Sequence, residues 1–200
     1  MKRRTEETYI YYENDEIKSI YEKDNILKKS KWAVAYDWFG SIIIAVLSIF
    51  IIFTYLLRVV SVSGESMVPT LNDKDWLVVS NLNYSPKHGD IVVVTKSEKY
   101  KDPIIKRVIG LPGDCIDIDF KKGIVYRNGV IIQEDYVNTP TNVQYDVEFP
   151  VTVPEGCVFV MGDNRNDSLD SRSSLIGMVD SRYILGKVIV RLWPIGEFEV

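Results

Sequence analysis

The sequence predicts a mainly β protein in which a single N-terminal transmembrane helix precedes an antiparallel β-sandwich or barrel-like domain. Two observations predict it. Residues 61–200 hold a succession of short Val- and Ile-rich runs cut by Gly, Pro, Asn and Asp, with no helical periodicity of any length. Ahead of them, Trp38–Leu57 runs for twenty residues without a charged side chain.

The β-rich runs come in order. "WLVVS" (76–80), "DIVVVT" (90–95) and "IIKRVIG" (104–110) are followed by "DCIDID" (114–119) and "GIVYRNGVII" (123–132), and then by "CVFVMG" (157–162) and "GKVIVRLWP" (186–194). Asn128-Gly129 inside the fifth run is a hairpin signal, because a type I′ turn needs positive φ at both central residues. Leu111-Pro112-Gly113-Asp114 and Pro154-Glu155-Gly156 read as further turns. Residues 137–150 read as a loop with room for one edge strand.

The apolar run, at helical rise, spans about 30 Å, the thickness of a hydrocarbon core. It is longer than the apolar region of a cleaved leader, roughly 7–15 residues, so it reads as an anchor that stays attached. Lys28, Lys29 and Lys31 precede it; after it only Arg58 comes before Lys74. That asymmetry predicts a cytoplasmic N-terminus. The organisation expected is a cytoplasmic tail (1–36), an anchor (37–58) in the plasma membrane and an extracytoplasmic β-rich domain (59–200). The tail carries charges of both signs and fits a short amphipathic helix and disorder alike.

The chain has 24 basic against 28 acidic side chains, a balance that argues against a nucleic-acid partner. No feature fixes an oligomeric state. Cys115 and Cys157 both fall on the outer side, where a disulfide is permitted, and both sit in strand-like contexts that suit free thiols. Two cysteines do not make a metal site, and neither metal nor cofactor is expected.

The stretch "SGESMVPTL" (63–71) raises Ser66 as a nucleophile. Its base is then the question. His88, the one histidine, lies in the turn sequence "SPKHGD" and is expected in solvent. The other base able to serve a serine is a lysine kept neutral by burial. Lowering a lysine pKa from about 10.4 to about 8 costs roughly 3 kcal/mol, so apolar packing must surround it. Lys96, Lys99, Lys101, Lys121 and Lys122 sit in polar loops and turns, whereas Lys106 lies within an Ile/Val strand. Alternation puts Ile104, Lys106 and Val108 on one face and Ile105 and Arg107 on the other. The ordinary alternative is an edge-strand lysine pointing at water. A third segment, "MGDNRNDSLDSRSSLIG" (161–177), is polar and dense in Asp, Asn, Arg and Ser; such a segment is usually a solvated loop, yet loops of this length also build sites.

Together the blocks "SGESMVPTL", "GDIVVV", "IKRVIGLPGD", "GDNRNDSLDSR" and "GKVIVRLWP" resemble the type I signal peptidases of bacteria, in a compact Gram-positive-like form. The resemblance covers the anchor and nearly the whole outer part. It implies a Ser-Lys serine endopeptidase with Ser66 as nucleophile and Lys106 as general base. It further implies a hydrogen bond from Ser168 to the lysine amine, an Asp170–Arg172 ion pair, and Asp163 as partner of Arg107. At Gly64 many Gram-negative relatives carry a serine that helps bind the oxyanion; here the backbone N–H groups of Ser66 and Gly64 are left for that task.

The expected substrates are signal-peptide-bearing preproteins at the lipid bilayer, cleaved after small residues in an A-x-A-like pattern. A preprotein would add as a strand beside 61–64 and 103–106, with Val62, Met67 and Ile105 as pocket walls. Ser66 follows Leu57 by nine positions, at most about 30 Å of extended chain, which keeps it close to the membrane surface. Two rivals remain from sequence: another Ser-Lys peptidase, and a membrane-tethered β-domain that binds without catalysis.

Overall fold

The computed structural model describes residues 17–19, 31–55 and 57–195. Most of the expected cytoplasmic tail lies outside the described residues. By internal contacts the chain divides into two units, Met1–Ile51 and Ile52–Val200.

Among the described residues the long element of the first unit is one helix, α1 (Lys31–Tyr55), which runs on past Ile51. Within it Trp32–Ile52 is long and apolar enough, by length and composition, to cross a membrane, with a mean hydropathy of 2.0. Its large apolar side chains, from Trp32 to Ile52, are exposed along the whole stretch, as suits a helix with no polar face. The helix stops before the expected anchor end at 58. Leu57 and Arg58 instead open strand β1 (Leu57–Ser61), where pairing with β2 (Trp76–Ser80) claims their backbone.

The second unit is built from antiparallel strands. The larger sheet runs in the order β1-β2-β11-β3-β4-β9-β10, where β3 is Ile91–Val94, β4 Ile104–Gly110, β9 Cys157–Met161, β10 Val179–Asp180 and β11 Ile184–Trp193. The smaller sheet runs β7-β6-β5-β8, with β5 Cys115–Asp119, β6 Ile124–Arg127, β7 Val130–Ile131 and β8 Val151–Thr152. Asn128 and Gly129 join β6 to β7 with φ of 54° and 78°, as the hairpin signal required. The 137–150 segment contains no strand; β8 begins just after it. Cys115 and Cys157 are free, half-buried thiols.

The core lies in three clusters. One gathers Val62, Met67, Leu71, Leu77 and Val79 beside the Ser66 turn. Another joins β3, β4, β9 and β10 through Val92, Val108, Val160 and Val179. The third, with Ile109, Ile116, Val125 and Phe159, ties the two sheets together. Each fully buried Val, Ile or Leu contributes about 1.5–3 kcal/mol, so these clusters fix β4 rigidly between its neighbours.

Candidate active site

Lys106 lies in β4, between β3 and β9, and its side chain is buried, so the alternative of an edge-strand lysine pointing at water is excluded. It is 2 % exposed. Its Nζ lies 2.6 Å from Ser66 Oγ and donates to the Ile105 carbonyl at 3.0 Å. Burial pushes the amine pKa down to about 8, against the Asp170 and Asp163 carboxylates, which favour the ammonium, and together with Arg172, which opposes it. The face alternation expected for β4 holds less information than it suggested: Arg107, on the opposite face, is equally buried.

The turn bearing Ser66 is held from several directions. Asn164 donates its backbone N–H to the Ser66 carbonyl at 3.0 Å and its side-chain amide to the Glu65 carbonyl at 3.1 Å. Thr70 Oγ1 donates to Asp163 Oδ2 at 2.6 Å. Arg107 grips the same carboxylate as a fork, Nε to Oδ1 at 2.9 Å and Nη2 to Oδ2 at 2.8 Å. Gly162 fits where nothing larger could: a Cβ there would stand 2.1 Å from Ser168 Oγ and 2.5 Å from the Ser66 carbonyl oxygen.

The 161–177 segment is largely buried rather than solvated. Asp163, Arg165, Asp170, Ser171 and Arg172 are each at most 1 % exposed. Asp170 receives Arg172 Nε and Nη2 at 2.9 and 2.8 Å, and also the Gly162 N–H at 3.1 Å. Buried charges of this kind persist only when paired and hydrogen-bonded, which these are.

Two expected roles do not appear in the geometry. Ser168 Oγ is buried, packs against Gly162 and has no hydrogen-bond partner among the described residues; it makes no bond to the Lys106 amine, whose contacts go to Ser66 and Ile105. Gly64, at φ +90°, donates its N–H to Asp73 Oδ1 at 3.0 Å, so this amide is already engaged within the protein. His88 is exposed, its Nδ1 2.9 Å from the Ile109 carbonyl, in a shallow dent with Arg127 and Gln133 apart from Ser66.

Ser66 and Lys106 open onto a cleft of about 660 Å³. Val62, Met67 and Ile105 line it, as do Tyr100 and Leu169, which the sequence did not single out. On its β9 side, β4 is paired only from Arg107 onward, while on its β3 side Ile104–Arg107 are all paired. The backbone edge at 104–106 is therefore open toward the cleft. Thr70, Asn164, Gly162 and Arg165 were also unassigned from sequence. Their only signal was membership of the motif blocks, since their roles depend on two loops meeting in space.

A serine hydroxyl against a buried amine, set in a cleft on an antiparallel β scaffold, defines a candidate hydrolase of the nucleophile-and-base class. The family described as "Signal peptidase, peptidase S26" matches residues 35–193, and the chain belongs to this family of serine endopeptidases. It is 36 % identical over 178 residues to signal peptidase I P of Bacillus subtilis subsp. natto, covering 84 % of this chain and 94 % of that protein. It is 37 % identical over 150 residues to the probable signal peptidase I-2 of Synechocystis sp., covering 71 % of this chain and 66 % of that protein. A crystal structure of a signal peptidase I from Enterococcus faecalis is 34 % identical, with a TM-score of 0.44, covering 54 % of this chain and 98 % of that one.

Proposed function

We propose that this chain is a membrane-bound signal peptidase that uses a Ser66–Lys106 dyad to release signal peptides from exported preproteins. The observation that carries the reading is the 2.6 Å approach of Lys106 Nζ to Ser66 Oγ in a setting that holds the amine pKa near 8. With the amine neutral, the Ser66 hydroxyl donates to its lone pair. Lys106 takes that proton as Oγ attacks the scissile carbonyl carbon, then passes it to the departing amine as the C–N bond breaks. In the second half Lys106 takes a proton from water. The hydroxide attacks the acyl carbon, and the proton returns to Ser66 Oγ as the ester opens. The Ser66 N–H, with no hydrogen bond among the described residues, is the oxyanion donor.

The preprotein enters as an extended strand along the open 104–106 edge of β4. Val62, Met67 and Ile105 line the cleft beside Ser66 and are the walls assigned to the pockets that take the small side chains of an A-x-A-like pattern. The bilayer is the second partner. Trp76, Trp193 and Ile195 are 49, 64 and 86 % exposed, and only residue 56 separates the apolar helix from β1. Aromatic side chains exposed in this way suit a membrane–water boundary. The N-terminus is assigned to the cytoplasm and the β-domain to the outer side by the lysines preceding the helix.

The test is mass spectrometry of a preprotein incubated with the full chain in detergent. Wild type should release the signal peptide after a small residue, and Ser66→Ala and Lys106→Ala should not. Cleavage by Lys106→Ala would remove the lysine from the chemistry. Binding without cleavage by wild type would favour the tethered binding module.

A further inference from the structure

The segment between β7 and β8 sends Tyr136 onto the catalytic centre's charged support. The Tyr136 ring lies under the Arg107 guanidinium, 3.9 Å from it, and Arg165 flanks the same ring at 5.9 Å. Glu134 closes the arrangement. It takes Arg165 Nη1 and Nη2 at 2.7 and 2.6 Å, and it accepts the Tyr136 hydroxyl at 3.1 Å. Arg165 is anchored in turn to the Gly162 carbonyl at 3.1 Å and Thr141 Oγ1 at 3.1 Å. Burial, and after it the Glu134 charge, pushes the phenol pKa up, so the hydroxyl stays protonated and keeps donating.

What this clamp holds is Arg107. Its Nη1 is fixed by the Gly89 carbonyl at 2.9 Å, and its fork grips Asp163. Asp163 in turn accepts Thr70, four residues along the turn from Ser66. A guanidinium is planar, and a ring against its face fixes the plane in which its N–H groups point. We propose that Tyr136 is a positioning residue: stacked on Arg107 and clamped by Glu134 and Arg165, it sets the fork on Asp163 that holds the Thr70 turn and so places the Ser66 hydroxyl. The inference rests on Ser66 being the nucleophile.

The experiment measures kcat and KM of the full chain in detergent on a signal-peptide reporter. Tyr136→Leu removes the ring face and should lower kcat about tenfold with KM within about twofold, because small misplacements of a nucleophile act on the chemical step. Tyr136→Phe keeps the stack and gives up only the Glu134 hydrogen bond, so its kcat loss should stay within about threefold, well short of that of Tyr136→Leu, with KM unchanged. Thr70→Val cuts the last link, and its loss should not multiply with that of Tyr136→Leu, since both act through one chain of contacts. Should Tyr136→Leu not fold, Glu134→Gln loosens the clamp at nearly constant shape and should show a smaller kcat loss with the same non-additivity. Unchanged kcat in Tyr136→Leu, or in Glu134→Gln where it stands in, overturns the inference. So does equal loss in the Phe and Leu variants, or fully multiplicative effects with Thr70→Val. Ser66→Ala separates the two failures: if it still cleaves, the nucleophile assignment falls and takes this inference with it; if it is inactive while the Tyr136 series behaves as wild type, this inference alone falls.

Discussion

Replacing Lys106 with methionine removes the amine and keeps an unbranched chain of similar volume. In the folded protein burial holds the amine pKa near 8, against 10.5 in the unfolded chain. The folded state therefore disfavours the proton. Below pH 8 both states are protonated, and folding bears the full cost of about 3 kcal/mol, from about 1.36 kcal/mol per pKa unit. Between pH 8 and 10.5 the unfolded chain binds more protons than the folded one, so stability rises with pH. Above 10.5 both states are neutral and the cost is gone. Against this, methionine loses the contacts to Ser66 Oγ and the Ile105 carbonyl, each worth about 0.5–1.5 kcal/mol. Lys106→Met should thus be more stable than wild type by up to about 2 kcal/mol at pH 7 and less stable by about 1–2 kcal/mol near pH 10.5. The assay is guanidinium unfolding of the full chain in detergent, followed by near-ultraviolet circular dichroism at several pH values. A stability difference that stays constant from pH 7 to pH 10.5 would refute the argument that the amine is desolvated.

Gly162→Ala would drive a methyl group into Ser168 Oγ and the Ser66 carbonyl. It should destabilise by about 1–3 kcal/mol in denaturant titrations and cut kcat about a hundredfold. Asp170→Asn leaves Arg172 buried without its counter-charge, and a loss of about 3–5 kcal/mol in the same titration is expected. In both cases wild-type behaviour would contradict the packing described.

Much of this was legible from residues alone. Val and Ile runs and the Asn128-Gly129 turn placed the strands close to where they lie, because local β-propensity and turn chemistry agree there with the tertiary fold. Ser66 and Lys106 were legible as residue types with a chemistry in common. Their contact was not legible from residue type or spacing, because it depends on a turn and a strand forty residues apart; the motif resemblance supplied the pairing. The polarity of 161–177 suggested solvent, since composition cannot show that Asp163 and Asp170 each meet an arginine inside the protein. Gly64 illustrates the same limit: Asp73, nine residues later, captures its amide through a turn that no spacing rule reveals. Tyr136 was not singled out from the sequence, because its partners come from β4 and the 161–177 segment.

The central claim is that a buried neutral amine at Lys106 takes the proton of Ser66. The most direct measurement is the pH dependence of kcat/KM for preprotein cleavage by the full chain. The profile should rise with unit slope at low pH and level off above a midpoint near 8, where the amine loses its proton. A profile flat from pH 6 to 10, or one whose midpoint lies near the 10.5 of an exposed lysine, would contradict the claim.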